Sequence, residues 1–273
     1  MNCDNLTTKC PFCGRSLLTL AGAVVLDDVA DPRRSAVEGL EMACTCAAAK
    51  SADARIDAEI EAVKRARGAK AREERLRCRL ADSNMPEAWH QRGLSAWLRR
   101  TPNEQAAYDA AVAFGRRVKN GERPSLYIAG PIGTGKTMLA SCLALDLIRL
   151  GHSVLWSNVG DLLRALRATF NTAEKEQDVI DRFTAPPILV LDDLGKERPT
   201  EWAAEQLFAI FNRRYDCGKT TIVTTNYGGP DLVRRLTPRP DSTGYADDTT
   251  AASIVDRLRG TSNLIVLEGE SKR

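Results

Sequence analysis

The sequence predicts an α/β fold with a central parallel sheet and helices on both faces. Apolar runs typical of strands alternate with helical segments from residue 125 to residue 267, and this alternation is typical of a parallel sheet. The first run leads into a glycine-rich loop followed by a helical segment. A later run ends in two adjacent aspartates. Both observations place polar groups at the carboxyl edge of the sheet, where the chemistry of such folds is concentrated.

The glycine-rich loop fits a phosphate-binding motif. Residues 130–137 read GPIGTGKT and match G-x-x-x-x-G-K-[ST] between a strand and a helix. Glycines let successive backbone N–H groups converge on an anion. We expect Lys136 to reach the β- and γ-phosphates and the Thr137 hydroxyl to ligate Mg²⁺. The residues predicted to bind ATP are therefore Gly130, Pro131, Ile132, Gly133, Thr134, Gly135, Lys136 and Thr137.

The composition indicates a globular chain. Of its 273 residues 43% are hydrophobic and 27% are charged, which is ordinary for a globular protein. No apolar run approaches the ~18 residues of a membrane span, and the first residues lack the layout of a signal peptide. We therefore expect a cytoplasmic location and no membrane partner. The net charge of +3 means that any nucleic-acid site must come from local clustering of basic residues.

Residues 1–48 carry two cysteine pairs that predict a zinc-ribbon-like domain. Cys10 and Cys13 flank a tight turn, and Cys44 and Cys46 follow about thirty residues later, so the four thiolates can close a tetrahedral site. The segments between them read as short strands. We predict a structural Zn²⁺ here. Free thiols and a thioredoxin-like redox pair remain as alternatives, although the βαβ context of a redox motif is absent.

Residues 49–84 are predicted to form a helical basic linker before an ATPase domain of residues 85–273. The linker is rich in Ala, Glu, Lys and Arg, without proline or strand-forming runs. Its second half, residues 64–79, carries a surplus of Lys and Arg. These basic side chains can bind along a nucleic-acid phosphate backbone or to an acidic partner. A solvated helical linker without a binding role is the competing interpretation. Inside the ATPase domain, Thr101, Pro102 and Glu104 predict a capping box that opens a helix.

Residues 188–193, ILVLDD, form the second motif. A fully apolar strand that ends in acids delivers them to the edge that carries the phosphate loop. We expect Asp192 to hold Mg²⁺ through water and Asp193 to polarise the attacking water. The strand TTIVTTN ends in Asn226, which can orient the same water if the strand is central. An ordinary turn residue is the alternative for Asn226.

These segments resemble a known family. GPIGTGKT, ILVLDDLG, the stretch 198–226 and the terminal SIVDRLRG and GESKR are similar to bacterial replicative-helicase loaders of the DnaC/DnaI type, which are AAA+ ATPases. IstB-type transposition helper ATPases are close to them in these motifs. The resemblance spans roughly residues 85–273 and implies an AAA+ domain without a full lid. The cysteine-containing N-terminus further resembles the helicase-binding domain of the DnaI branch.

The resemblance also assigns roles to individual residues. Asn226 matches the first sensor, and Arg257 matches an arginine finger that reaches the γ-phosphate of a neighbouring subunit. Within its own subunit Arg257 is expected to lie away from the phosphate loop. Pairing of Arg257 with Asp256, or Arg259 as the finger instead, are the alternatives.

Residues 160–170 stand where loaders carry an extra helix that faces single-stranded DNA. Arg164, Arg167 and Phe170 are its candidate contacts, by charge and base stacking. A helix packed through its leucines is a compatible interpretation. Residues 238–250, a polar insertion with two prolines, are expected to form a mobile loop without an assigned role.

The function that the resemblance implies is ATP-dependent helicase loading. The N-terminal domain would bind the replicative ring helicase, and the ATPase domain would self-associate and place the ring on single-stranded DNA. Two alternatives stay open: an IstB-like helper that acts with a transposase, and an adaptor that binds nucleotide without hydrolysing it. Intact Lys136, Asp192, Asp193 and Arg257 argue against the adaptor.

Overall fold

The computed structural model describes residues 7–9, 11–20, 40–41, 46–196, 200–238 and 247–271. The chain divides into two compact units, residues 1–72 and 73–273, and the division falls within a long helix. The predicted boundaries at residues 48 and 84 stay predictions. Most of the predicted loop at residues 238–250 lies outside the described residues.

The first unit contains a small antiparallel sheet. Its strands are β1 (Thr7–Lys9), β2 (Ser16–Leu20) and β3 (Leu40–Glu41), in the order β1-β2-β3. Residues 11–13 form the turn between β1 and β2. Cys13 is exposed and Cys46 is half-buried, whereas Cys10 and Cys44 lie outside the described residues. The zinc site therefore stays a prediction; within the described ranges, no cluster of three or more His, Cys, Asp or Glu residues suits a metal.

Helix α1 (Ala47–Asp82) runs unbroken through Gly68. Most of its residues are exposed, as expected of a segment so rich in charged side chains. In its last turns, which belong to the second unit, Leu76 and Leu80 pack against the core of that unit.

The second unit is organised around a five-stranded parallel sheet. The strand order is β5-β6-β7-β4-β8, and the strands are β4 (Ser125–Ala129), β5 (Val154–Asn158), β6 (Ile188–Leu194), β7 (Thr220–Thr225) and β8 (Ser262–Val266). Every residue of β4 and β7 is buried. Because parallel strands require crossover connections, helices cover both faces of such a sheet.

The helices of this unit form two layers. Their bounds are α2 (Pro102–Lys119), α3 (Lys136–Arg149), α4 (Val159–Ala168), α5 (Glu176–Thr184), α6 (Glu201–Asp216), α7 (Gly229–Leu236) and α8 (Thr249–Thr261). Helices α2 and α3 build one hydrophobic core; α4 to α8 build the other. The predicted parallel sheet with helices on both faces is confirmed. No helix in the described part of the chain is long and apolar enough to cross a membrane.

The start of α2 is fixed by the predicted capping box. The Glu104 N–H donates to the Thr101 hydroxyl at 3.2 Å, and the Thr101 N–H donates to the Glu104 carboxylate at 3.0 Å. The Trp97 indole N–H donates to the Glu104 carbonyl oxygen at 3.1 Å. This last bond fixes Trp97 beside the start of α2, and the Trp97 ring packs against Gly135 of the phosphate loop.

A buried arginine joins the elements at the amino-terminal edge of the sheet. Arg214 on α6 has no exposed surface, and burial lowers the pKa of its guanidinium to about 10. Its hydrogen bonds go to uncharged oxygens: the carbonyls of Phe183, Pro186, Pro187 and Thr220 and the hydroxyl of Thr221. One side chain thus ties the end of α5 and the start of β6 to the start of β7.

We predict that Arg214→Met destabilises the second unit by about 3 kcal/mol or more, because several buried carbonyl oxygens lose a charged donor. Arg213→Met is the matched control, since Arg213 pairs with Asp181 on the surface and exposed ion pairs contribute at most about 1 kcal/mol. Urea unfolding of the two variants measures the difference. Equal losses would show that the Arg214 network contributes no more than a surface pair.

Candidate nucleotide-binding site

The phosphate loop follows the carboxyl end of β4, and its glycines are required by close contacts. Gly130 has φ = 154° and Gly133 has φ = 86°, values that side chains rarely adopt. A Cβ atom on Gly130 would lie 2.2 Å from the Leu267 carbonyl oxygen, and one on Gly133 would lie 2.2 Å from the Ser271 hydroxyl. The segment 267–271 therefore lies directly against the loop.

This C-terminal segment is held by backbone and side-chain bonds. The Leu267 N–H donates to the Ala129 carbonyl oxygen at 2.8 Å, which extends the pairing of β4 with β8. The Asn103 amide donates to the Val266 carbonyl oxygen at 2.9 Å and accepts from the Glu268 N–H at 3.0 Å. These bonds hold the tail beside the phosphate loop.

Lys136 and Thr134 both turn toward the loop backbone. The Lys136 ammonium donates to the Pro131 carbonyl oxygen at 2.7 Å, and the Thr134 hydroxyl donates to the same oxygen at 2.9 Å. Lys136 is buried. The Trp97 ring lies 3.1 Å from the position that a Cβ atom on Gly135 would take, so this ring packs against the loop.

A β-bulge brings the two aspartates to this edge. In the pairing of β6 with β7, Leu191 faces Val223 and Leu194 faces Thr225, so Asp192 and Asp193 together stand opposite Thr224. Asp193 has φ = 62°, a left-handed conformation that is uncommon for a residue with a side chain. Bulges of this kind re-aim side chains at strand ends.

The Thr224 hydroxyl connects both aspartates. It donates to the Asp192 carboxylate at 2.5 Å and accepts from the Asp193 N–H at 2.9 Å. The Thr137 hydroxyl, at the start of α3, donates to the same carboxylate at 3.0 Å. The structure therefore brings together the two predicted Mg²⁺ ligands, Thr137 and Asp192, through a direct hydrogen bond.

Burial raises the pKa of the Asp192 carboxyl above its ordinary value. Hydrogen bonds from Thr224 and Thr137 lower this pKa, the charge of Asp193 raises it, and that of Lys136 lowers it. A carboxylate that is costly to ionise in the apo protein gains from a cation beside it. The donor set of Asp192 and Thr137 is oxygen only, which fits Mg²⁺.

The Asp193 carboxylate forms an ion pair with Lys196 at 3.2 Å. Asn226 follows the end of β7, which lies between β6 and β4, so the condition that its strand be central is met. Asn226 lines a cavity of about 450 Å³ together with Gly130, Pro131 and Arg259. Of the two candidate fingers, Arg259 thus lies on the side of the chain's own phosphate loop.

Arg257 lies at the other edge of the sheet. It lines a groove with Ser125 and Thr221, which belong to the amino ends of β4 and β7. Its Nε donates to the Asn212 side chain at 2.7 Å, and its guanidinium lies 4.9 Å from the centre of the Phe208 ring. Both of these contacts are with residues of α6. A role for Arg257 at a phosphate would thus concern a neighbouring subunit.

The predicted DNA contacts lie on α4 and the turn after it. Arg164 and Arg167 are exposed, and Arg164 pairs with Asp161. Phe170 is 63% exposed, and its ring centre lies 5.1 Å from that of Trp202. The leucines of α4, Leu162, Leu163 and Leu166, are buried, so the packing interpretation of this helix is correct and leaves the basic face open.

Sequence reasoning missed three contributors to this site: Thr224, Lys196 and the tail 267–271. A signal existed for Thr224, because a threonine two residues before Asn226 on a buried strand must satisfy its hydroxyl. No local signal showed that residues 267–271 lie against the loop, since this contact depends on the pairing of β8 with β4.

Comparisons with known proteins agree with this geometry. The model of the family described as IstB-like ATP binding protein matches residues 102–273. A putative ATP-binding protein in an insertion sequence of Mycobacterium tuberculosis is 30% identical over 149 residues, 55% of this chain and 55% of that protein. The replicative helicase loader DnaI of Bacillus subtilis is 24% identical over 156 residues, 57% of this chain and 49% of that protein.

Among solved structures, the crystal structure of the DnaC helicase loader aligns with a TM-score of 0.57. The two sequences are 24% identical, and the alignment covers 67% of this chain and 99% of the DnaC chain. This likeness shows that the two chains share a fold. The chain spans about half the length of the curated relatives it matches.

We predict that Thr224→Val destabilises the apo protein by about 1–3 kcal/mol, because the Asp192 carboxylate loses a donor and the Asp193 N–H loses an acceptor. Thr224 favours the ionised form of Asp192, whose pKa is already raised. The loss should therefore be largest at neutral pH and shrink as the pH falls through the raised pKa and Asp192 protonates.

Urea unfolding in EDTA at several pH values measures this loss. Thr220→Val is the matched control on the same strand: the residue is buried, and its hydroxyl makes no hydrogen bond within the described ranges. A Thr224→Val loss that is independent of pH would show that the hydroxyl does not favour the charged carboxylate.

Proposed function

Because the chain belongs to the family of IstB-like ATP binding proteins and is similar to the helicase loaders DnaI and DnaC, we propose that it hydrolyses ATP and uses the cycle to load a ring helicase onto single-stranded DNA. One observation carries the hydrolysis proposal: Thr137, Asp192, Thr224 and Asp193 form a continuous hydrogen-bonded group beside the phosphate loop.

The residues of the phosphate loop and of the hydrogen-bonded group have separate roles in this proposal. The loop N–H groups and the Lys136 ammonium bind the β- and γ-phosphates, and Thr137 with Asp192 would hold Mg²⁺. When bound, the ion would supply charge stabilisation for the phosphoryl oxygens. Asp193 polarises the water that attacks the γ-phosphorus, while the bond to the leaving ADP oxygen breaks.

Two further residues complete the proposed reaction. Asn226 follows the strand beside Asp193 and orients the same water. Arg257 acts on the nucleotide of a neighbouring subunit, which its place at the opposite edge of the sheet supports. This role requires self-association of the ATPase domain.

The loading proposal rests on the named relatives and on the exposed basic face of α4. DnaI of Bacillus subtilis is named a replicative helicase loader, and we infer the same class of partner here, bound through the N-terminal unit. In this proposal Arg164, Arg167 and Phe170 contact the single-stranded DNA. Zinc at Cys10, Cys13, Cys44 and Cys46 would fold the small N-terminal domain, which is too short to build a large core.

A transposition helper is the second candidate. The family model and the Mycobacterium tuberculosis relative, named for an insertion sequence, favour it. The catalytic group is common to both candidates, so only the partner separates them. The third candidate is an adaptor that binds ATP without hydrolysing it. The hydrogen-bonded group that holds Asp192 and Asp193 beside the loop argues against this candidate.

We predict that Lys136→Ala abolishes ATP turnover and weakens nucleotide binding, because the loop loses its cation for the β- and γ-phosphates. Asp193→Asn should retain binding and lower turnover by about 100-fold or more, the usual contribution of a group that handles the attacking water. Phosphate release in the presence of single-stranded DNA measures turnover.

Lys175→Ala is the matched control, since Lys175 is an exposed lysine at the start of α5. Wild-type turnover in Lys136→Ala would refute the assignment of the site. An Asp193→Asn variant with normal turnover would leave the loop assigned and remove Asp193 from the reaction.

The partner is tested with closed circular single-stranded DNA, because a ring helicase can enter a circle only if the ring opens. We predict that the full chain with ATP increases the amount of the source cell's replicative helicase bound to the circle. Lys136→Ala should fail to do so. Retention of a transposase from the same genome, with no effect on the helicase, would favour the transposition helper.

A further inference from the structure

The turn after the two aspartates brings the Lys196 side chain into an ion pair with Asp193, the proposed catalytic carboxylate. The Lys196 N–H donates to the Asp193 carbonyl oxygen at 3.2 Å, and Gly195 between them has φ = 84°. These are features of a type II turn, which requires a positive φ at its third residue. The turn brings the Lys196 ammonium to 3.2 Å from the Asp193 Oδ2 atom.

Arg235, in the last turn of α7, fixes this turn from outside. Its guanidinium donates to the carbonyl oxygens of Gly195 and Lys196, both at 2.8 Å, and lies 5.6 Å from the centre of the Tyr227 ring. A Cβ on Gly195 would lie 2.8 Å from Leu232. The backbone of Lys196 is therefore held against α7, which keeps the base of its side chain within reach of the Asp193 carboxylate.

We propose that Lys196 is a positioning residue that restrains the Asp193 carboxylate, and that ATP hydrolysis proceeds faster when this ion pair is broken. The inference rests on the proposed role of Asp193 toward the attacking water. The Asp193 oxygen that accepts from the Lys196 ammonium is less available to accept a hydrogen bond from the attacking water. Arg235 keeps the restraint in place by holding the turn.

The exposure of the pair sets the size of the effect. The Lys196 side chain is 64% exposed and that of Asp193 is 25% exposed. Exposed ion pairs contribute at most about 1 kcal/mol, which corresponds to about fivefold in rate. The restraint therefore tunes turnover instead of switching it off, and salt or an arriving phosphate group can compete for Lys196.

Lys196→Ala in the full chain tests the proposal. At saturating ATP and low salt, kcat should rise by up to about fivefold while KM for ATP stays unchanged. Lys196→Arg should behave as wild type, because it keeps the ion pair. Arg235→Gln should also raise kcat, because the turn at Gly195 and Lys196 loses the guanidinium that holds its carbonyl oxygens. Lys119→Ala is the control, an exposed lysine on α2 with no hydrogen bond or ion pair among the described residues.

Raising the salt concentration provides a second readout. The kcat of the wild type should approach that of Lys196→Ala, because screening weakens the exposed pair. A kcat in Lys196→Ala that equals or falls below the wild-type value, with Asp193→Asn still impaired, overturns the restraint and leaves the hydrolysis proposal intact. A wild-type chain without turnover overturns both.

Discussion

The parallel alignment of β4, β6 and β7 is the constraint on which the rest of the second unit depends. Parallel neighbours cannot be joined by hairpins, so each needs a crossover helix and both faces of the sheet are buried. The same alignment sends the carboxyl ends of all three strands to one edge. The phosphate loop, the two aspartates and Asn226 therefore meet there, although residues 130 and 226 are far apart in the chain.

The two edges of this sheet hold buried polar groups in different ways. At the amino-terminal edge, Arg214 satisfies a set of backbone carbonyl oxygens and makes the connections around it rigid. At the carboxyl edge, Asp192 is buried with hydroxyl donors only partly compensating its charge, and Asp193 adopts a left-handed backbone conformation. Costly features of this kind persist where a ligand offsets them.

The relatives include both helicase loaders and insertion-sequence proteins, and the family match covers residues 102–273, which contain the phosphate loop. A nucleotide-binding site can serve many purposes, and its geometry does not identify the partner. The family model begins at residue 102, so the first hundred residues lie outside this match. The cysteine pairs and the basic helix α1 lie within these residues.

The sequence by itself determined the fold class, the alternation of strands and helices, the capping box at Thr101 and the phosphate loop. All of these depend on neighbouring residues: hydrophobic period, turn chemistry and fixed motif spacing. It also indicated Asp192 and Asn226, because the end of an apolar strand in a parallel sheet has a known edge.

Only the tertiary structure decided the register of β6 against β7, and with it the bulge that sets Asp192 and Asp193 opposite Thr224. It likewise decided that the tail 267–271 lies against the phosphate loop and that Arg235 holds the turn of Lys196. These contacts join segments separated by tens of residues or more. Their energies depend on distances between strands and helices that no local pattern specifies, so they emerge only when the whole sheet is assembled.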